Sequence, residues 1–429
     1  MAFAMFLGAG NLIFPPMVGQ LAGNHIWLAA AGFLMTGVGL PLLGVVVISK
    51  VGGGFNEITR ELPRLLVVLI GSCIFLIIGP LYAVPRTSMV AYEVSVIPFI
   101  EKESYLPRLL FSTGFFAVSW YLSMRPGKLL ETVGKIITPA LIVLLIIMGI
   151  TPILAPLGSP GEAMGLYDKT PVLTGFLEGY MTMDALAALM FGVVIVTNLK
   201  SHGITDKDRL FHYCTITGII AATGLALVYL SLFYLGATSR EVAPEPSNGG
   251  QILALYVDAL FGSPGIILLA AVVTLACLTT AIGCITAASE YFDALTDRIS
   301  YSTIVALISI TCLLFANLGL NQIITLFIPV LMILYPTCIM LILLGLIRDI
   351  LPNPTLTYRS TLLLTLIMSI IDALKSVDAP ALEFFQELFS LLPGYESHLS
   401  WLLPAGASIL ITGIIGLAFR SDRFQEDQA

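Results

Sequence analysis

The chain has 429 residues, 57% of them hydrophobic and 11% charged, with a mean hydropathy of +0.97. Soluble domains carry about 25% charged residues, so a water-surrounded globule is excluded, and apolar runs that are continuous instead of alternating argue against a β-barrel. The net charge of −7, with no basic patch, leaves no nucleic-acid surface.

The reading is an all-α integral membrane protein with about twelve spans of the ~20 residues a bilayer demands. They fall near 1–22, 26–49, 65–100, 107–123, 136–156, 171–199, 211–236, 263–292, 302–318, 321–347, 358–376 and 399–419. The third run is too long for a perpendicular helix and predicts a tilt or an extension beyond the bilayer. The stretch 377–398 is amphipathic and acidic and reads as a surface helix. The first run lacks a basic n-region, so no cleavable signal peptide is expected. Six cysteines, none in a Cys-x-x-Cys pair, suggest neither disulfides nor a metal site.

Lysine and arginine orient the spans. With the N-terminus inside, fourteen of the twenty fall in inside loops and five (Lys102, Arg108, Lys169, Arg240, Lys375) in outside loops, Arg86 lying in a span. This satisfies the positive-inside rule with both termini cytoplasmic.

Two spans contain helix breakers. The first holds "FLGAGNLIFPPMVGQLAG", Phe6 to Gly23, where Gly8 and Gly10 permit unwinding and Pro15 and Pro16 remove donors from the ladder. A glycine packing face with a proline kink is the plainer reading. The sixth holds "GFLEGYMTMDALAALMFG", with Glu178, Gly179, Tyr180, Met181, Thr182, Met183 and Asp184 in a run otherwise fit for lipid. Acidic groups at that depth cost roughly 2.5–3.5 kcal/mol and mark sites or pathways. Spans one and six each open a group of five, and paired broken spans in two halves point to a transporter binding site. Freed N–H groups suit a carboxylate and freed carbonyls an ammonium or metal cation.

In the eighth span, "TLACLTTAIG" puts Ala276, Thr279 and Thr280 on one helix face. Two hydroxyls beside a carbonyl suit a small hard cation; alternatively, both threonines bond back to the preceding turn. Arg86 and Glu93, two turns apart, read first as a structural ion pair or an interfacial position and second as pathway residues. Glu178 reads as a cap and gate, with the substrate amine or a cation as other roles for it and Asp184. Tyr180 and Met183 are expected pocket walls, and Asp372 is expected to snorkel. The four histidines form no proton relay.

"GAGNLIFPPMVGQLAG", "GFLMTGVGLPLLGVVVISKVGGGFNEIT", "IGPLYAVPRTSMVAYE" and "EGYMTMDALAAL" resemble the branched-chain amino acid:cation symporter family, and the likeness covers nearly the whole chain. The resemblance implies the leucine-transporter-like five-plus-five inverted repeat with helices one and six broken: a first repeat over 1–156, a second over 171–349, and two further helices over 358–429. It implies a monomeric carrier, not an enzyme, in the bacterial inner membrane, taking up leucine, isoleucine and valine with Na⁺ and needing no other cofactor. A same-fold H⁺-coupled carrier, or a carrier of another small solute, is the alternative. By the same resemblance, backbone at Phe6, Gly8, Ala9 and Gly10 meets the substrate, and the carbonyls of Ala4, Leu7 and Ala276 with the hydroxyls of Thr279 and Thr280 hold the cation. Asn11 resembles an asparagine that serves a second cation site in some relatives. Such carriers have a short basic leader, and Met1 stands almost within the first helix, so a truncated start is expected, with Ala4 near a frayed end.

Overall fold

The computed structural model describes the chain apart from residues 1, 101–103, 125–127, 202, 297, 376–388, 390–392 and 427–429. Among the described residues the protein is helical, without strands, and each of the twelve expected spans is helix. Seven helical stretches are long and apolar enough to cross a bilayer, and Ile142–Leu154, Tyr301–Ala316 and Leu402–Ala418 are shorter apolar helices. The surface helix expected over 377–398 lies almost wholly outside the described residues; a single tight turn, Tyr395–Ser397, closes that stretch.

The first span is two helices, α1 (Ala2–Phe6) and α2 (Ala9–Ala22). The second is α3 (Ile26–Leu34) and α4 (Leu40–Val51), joined by a π-bulge over Met35–Gly39. The third run is interrupted between α5 (Arg64–Leu76) and α6 (Ala83–Ser95), where Gly79 leaves helical geometry (φ −85°, ψ −108°) beside Pro80. A proline lacks the donor for the ladder and clashes with the preceding turn, so the helix bends there. Next come α7 (Tyr105–Ser123) and α8 (Lys128–Leu154). The sixth span is α9 (Pro171–Glu178) and α10 (Asp184–Ser201), with a 3₁₀ turn over Gly179–Thr182 between them. Then follow α11 (Lys207–Ala237), α12 (Gly249–Leu295), α13 (Tyr301–Ala316), α14 (Leu320–Ile347), α15 (Pro354–Leu374) and α16 (Leu402–Glu426). The helix expected at 263–292 begins earlier, and Gly262 (φ 61°) kinks it ahead of Pro264.

The chain forms two compact units. One comprises Met1–Pro41, Ser72–Ala187 and Thr217–Leu326, and within it α6 lies along α12 and α3 along α9. The α3–α9 crossing is close because neither helix has a side chain in the way. A Cβ on Gly32 would lie 1.8 Å from the Val172 carbonyl oxygen, and one on Gly175 would lie 2.0 Å from that of Ala29. The other unit comprises Leu42–Gly71, Ala188–Ile216 and Phe327–Ala429, with α15 packed on α16. Here Asp372 does not snorkel: it is buried and accepts from the Ser400 amide (3.1 Å) and hydroxyl (2.6 Å), which satisfy its carboxylate internally.

The outer surface is apolar. Leu307, Ile310 and Leu314 on α13 are 54%, 57% and 67% exposed and share one helix face. Leu403, Leu410, Ile414 and Leu417 form another such stripe on α16. Stripes of this kind face lipid, where the solvent is as apolar as the side chains.

Candidate functional site

The break in the first span lies at Leu7–Gly8, upstream of both prolines. α2 runs through Pro15 and Pro16 to Ala22. The prolines remove the donors that would meet the Asn11 and Leu12 carbonyls, but they do not end the helix. Gly8 is extended (φ −102°, ψ −173°), a conformation open to any residue. Its constraint is proximity: a Cβ there would lie 3.4 Å from Thr280 Cγ2, so the unwound backbone stands over the Thr280 face of α12. The plainer reading holds for the rest of α2. A Cβ on Gly19 would lie 2.0 Å from the Phe233 carbonyl oxygen, and one on Gly236 would lie 1.9 Å from that of Pro16, so α2 and α11 cross with bare backbones.

The sixth span breaks between Glu178 and Asp184. Met183 takes a left-handed conformation (φ 64°, ψ 14°), which a non-glycine residue adopts only where its surroundings hold it. Tyr180, Met181, Thr182 and Met183 are all buried. Glu178 makes no capping hydrogen bond, which corrects the expectation of a helix cap. The carbonyls at this break are met from elsewhere. Thr36, in the π-bulge of the second span, donates to the Phe176 carbonyl (2.8 Å), and a Cβ on Gly179 would lie 1.9 Å from its Oγ1.

Arg86 is 3% exposed, and its guanidinium turns to the sixth-span break, not along its own helix to Glu93. Nη1 donates to the Met181 carbonyl (2.5 Å) and the Tyr82 hydroxyl (3.2 Å), and Nη2 to the Thr182 carbonyl (3.4 Å). The guanidinium carbon lies 4.8 Å from the Tyr82 ring centre and 5.4 Å from that of Phe14. A Cβ on Gly10 would lie 2.5 Å from Nη2, so glycine there is what admits the charge against the start of α2.

Asn11, Asp184 and Tyr229 form a dry cluster, each no more than 3% exposed. Asn11 Nδ2 donates to Asp184 Oδ2 (2.8 Å) and to the Tyr229 hydroxyl, which in turn donates to the same Asp184 oxygen (2.6 Å). Asp184 also opens α10, where a negative charge meets the positive end of the helix dipole. Edge-on packing of Phe33 against Tyr229, with ring centres 5.3 Å apart, fixes the phenol. Tyr229 and Thr36 carry no local sign in the sequence: each is one polar group in an ordinary apolar run.

On α12, Thr279 and Thr280 both donate to the Ala276 carbonyl, at 2.8 and 3.1 Å, as the back-bonding alternative holds. A hydroxyl that donates in this way keeps its lone pairs, so both oxygens still suit a hard cation. The site therefore joins Asn11, Arg86 and Asp184 with the two breaks, and sets Gly8 against Thr280.

The chain matches the family described as branched-chain amino acid transport protein over residues 1–419. It is 46% identical over 411 residues to the branched-chain amino acid transport system 2 carrier protein of Pseudomonas aeruginosa, covering 96% of this chain and 93% of the relative. It is 40% identical to the branched-chain amino acid permease BraB of Bacillus subtilis (97% and 94% covered) and 39% identical to the permease BrnQ of Escherichia coli K12 (96% and 93%). Among solved structures, MhsT in complex with L-phenylalanine matches with a TM-score of 0.57 at 16% identity, over 96% of each chain; the likeness is one of fold, the leucine-transporter-like arrangement with helices one and six broken. A match along nearly its whole length, and relatives named throughout as carriers and permeases, establish that this chain belongs to the branched-chain amino acid transport protein family.

Proposed function

We propose that this chain is a symporter that takes up leucine, isoleucine and valine together with Na⁺ by alternating access, in the inner membrane of a bacterium. The observation that carries the reading is the pair of broken spans joined through Arg86, with bare backbone on the substrate side of each. In this reading the substrate lies against Phe6, Gly8, Ala9, Gly10 and Asn11 on one side and against Glu178 to Asp184 on the other. The amide groups opening α2 receive its carboxylate, because their donors have no partner within the helix. Burial of Met181 and Met183 supports an apolar wall for the aliphatic side chain.

Na⁺ lies between the Ala4 and Leu7 carbonyls and Ala276, Thr279 and Thr280, an oxygen-only set that fits a hard ion. The approach of Gly8 to Thr280 supports this placement. The division into repeats over 1–156 and 171–349 with two further helices over 358–429, a monomeric carrier and cytoplasmic termini belong to the same reading, the last resting on the lysine and arginine distribution.

A second reading, proton coupling, draws on Asp184, a buried carboxylate already hydrogen-bonded to two donors at the break. Counterflow of labelled leucine in proteoliposomes separates them. The symport reading requires exchange that valine and isoleucine compete for and that an inward Na⁺ gradient drives. Drive by a proton gradient alone overturns the sodium part, and failure of leucine to exchange overturns the whole.

A further inference from the structure

Arg86 is a full positive charge at the meeting point of the two breaks; the symport reading uses it to join them and gives its charge no part. Two groups there would otherwise receive a metal ion: the Met181 and Thr182 carbonyls, freed because the sixth span unwinds beneath them. Both accept from the guanidinium instead. The space beside Gly10 is likewise filled, since even a methyl group there would fall 2.5 Å from Nη2. Asn11, whose likeness suggested a second cation site, donates from its amide nitrogen to Asp184 and Tyr229. Asp184, the carboxyl beside Asn11, already accepts from that amide and from the Tyr229 hydroxyl. A free cation entering would meet a like charge in a dry place, where repulsion is least screened.

We infer that Arg86 is a tethered cation occupying the carbonyls of the sixth-span break where a further coupling ion would otherwise bind, so that each transport cycle carries a single exchangeable cation, the one at Ala276, Thr279 and Thr280. This rests on the symport reading, and it assigns Arg86 a positioning part, holding the sixth-span break in its binding-competent shape. Arginine suits the task better than lysine, because its planar fork serves two carbonyls and a ring face at once.

The test is the number of charges moved per leucine by the full-length protein in proteoliposomes, read from the reversal potential at fixed leucine and ion gradients. One positive charge per leucine is expected; two, or none, overturns the inference. The count is blind to ion identity, so a proton in place of Na⁺ would remove the sodium reading while leaving the inference standing on its number. Arg86→Asn supplies the second arm. It vacates both carbonyls and adds an oxygen, so activation by Na⁺ should turn from hyperbolic to sigmoidal, with the Hill coefficient rising from about 1 toward 2, and Arg86→Lys should keep the hyperbolic form. A purely structural arginine would lower uptake without altering the shape of the curve, and an unchanged coefficient in folded Arg86→Asn protein overturns the inference. Should that variant fail to fold, the wild-type count decides alone.

Discussion

Tyr229 and Asp184, separated by 45 positions in the chain, are joined by a 2.6 Å hydrogen bond from phenol to carboxylate in the dry interior. Bonds to a charged partner contribute about 1.5–3 kcal/mol, and a buried acceptor left short of donors is costly. Tyr229→Phe keeps the ring that packs on Phe33 and removes only the hydroxyl. The variant should reach the membrane, melt at a lower temperature in detergent and transport leucine more slowly. A melting temperature and uptake equal to wild type would show that the bond contributes nothing.

Thr280→Val keeps the shape of the side chain that approaches Gly8 and deletes its hydroxyl. Half-maximal leucine uptake should need roughly tenfold more Na⁺, the effect of about 1.4 kcal/mol, while uptake at saturating Na⁺ stays close to normal. Uptake titrated against Na⁺ checks this, and an unshifted curve removes Thr280 from the proposed cation site.

The α3–α9 crossing predicts where alanine is not tolerated. At Gly32 or Gly175 a Cβ would press on carbonyl oxygen at about 2 Å, whereas at Gly114 it meets nothing within 4 Å. Overpacking of this kind costs about 1–3 kcal/mol or more. Gly32→Ala and Gly175→Ala should lower the yield of monodisperse protein and its melting temperature, with Gly114→Ala as the neutral control. Equal thermal stability of all three would contradict the crossing.

His398 lies in the connection before α16, with Nδ1 3.2 Å from the Asp372 carbonyl oxygen. Burial lowers its affinity for a proton below the ordinary imidazole value of 6.5, and the nearby Lys375 charge acts in the same direction. On acidification the unfolded chain therefore takes up the proton first. Stability should fall as pH drops below about 6.5 and level off once the folded protein is protonated too. Melting curves between neutral and mildly acidic pH should show this decline, and His398→Gln should flatten it in part.

Much of the fold was legible because lipid imposes a coarse rule: apolar runs of bilayer length are helices, and glycine, proline or carboxylate inside one is conspicuous. That is how both breaks were found, including the positions of Gly8 and of Glu178 to Asp184. The partners of buried charges were not legible, because a sequence displays neighbours along one helix and hides those across the bundle. Arg86 was read against Glu93, on its own helix, whereas the carbonyls that accept from it lie 95 and 96 positions away. Asp372 was read as reaching for water, while Ser400, 28 positions on, had already satisfied it. Tyr229 and Thr36 had no signal at all, since their hydroxyls matter only for what the fold sets beside them.

The close approach of Gly32 to Val172 and of Gly175 to Ala29 also bears on motion. Two rods touching through carbonyl oxygens, with no flexible chain between them to give way, resist sliding and behave as one plank. In the proposed alternation of access, Ile26–Leu34 and Pro171–Glu178 should travel together, and the bending should fall to the π-bulge at Met35–Gly39 and to left-handed Met183. Spin labels at the outward-facing Leu28 and Val172 should accordingly report one unvarying separation in every ion and substrate condition; a distribution that splits or shifts would show that the plank comes apart.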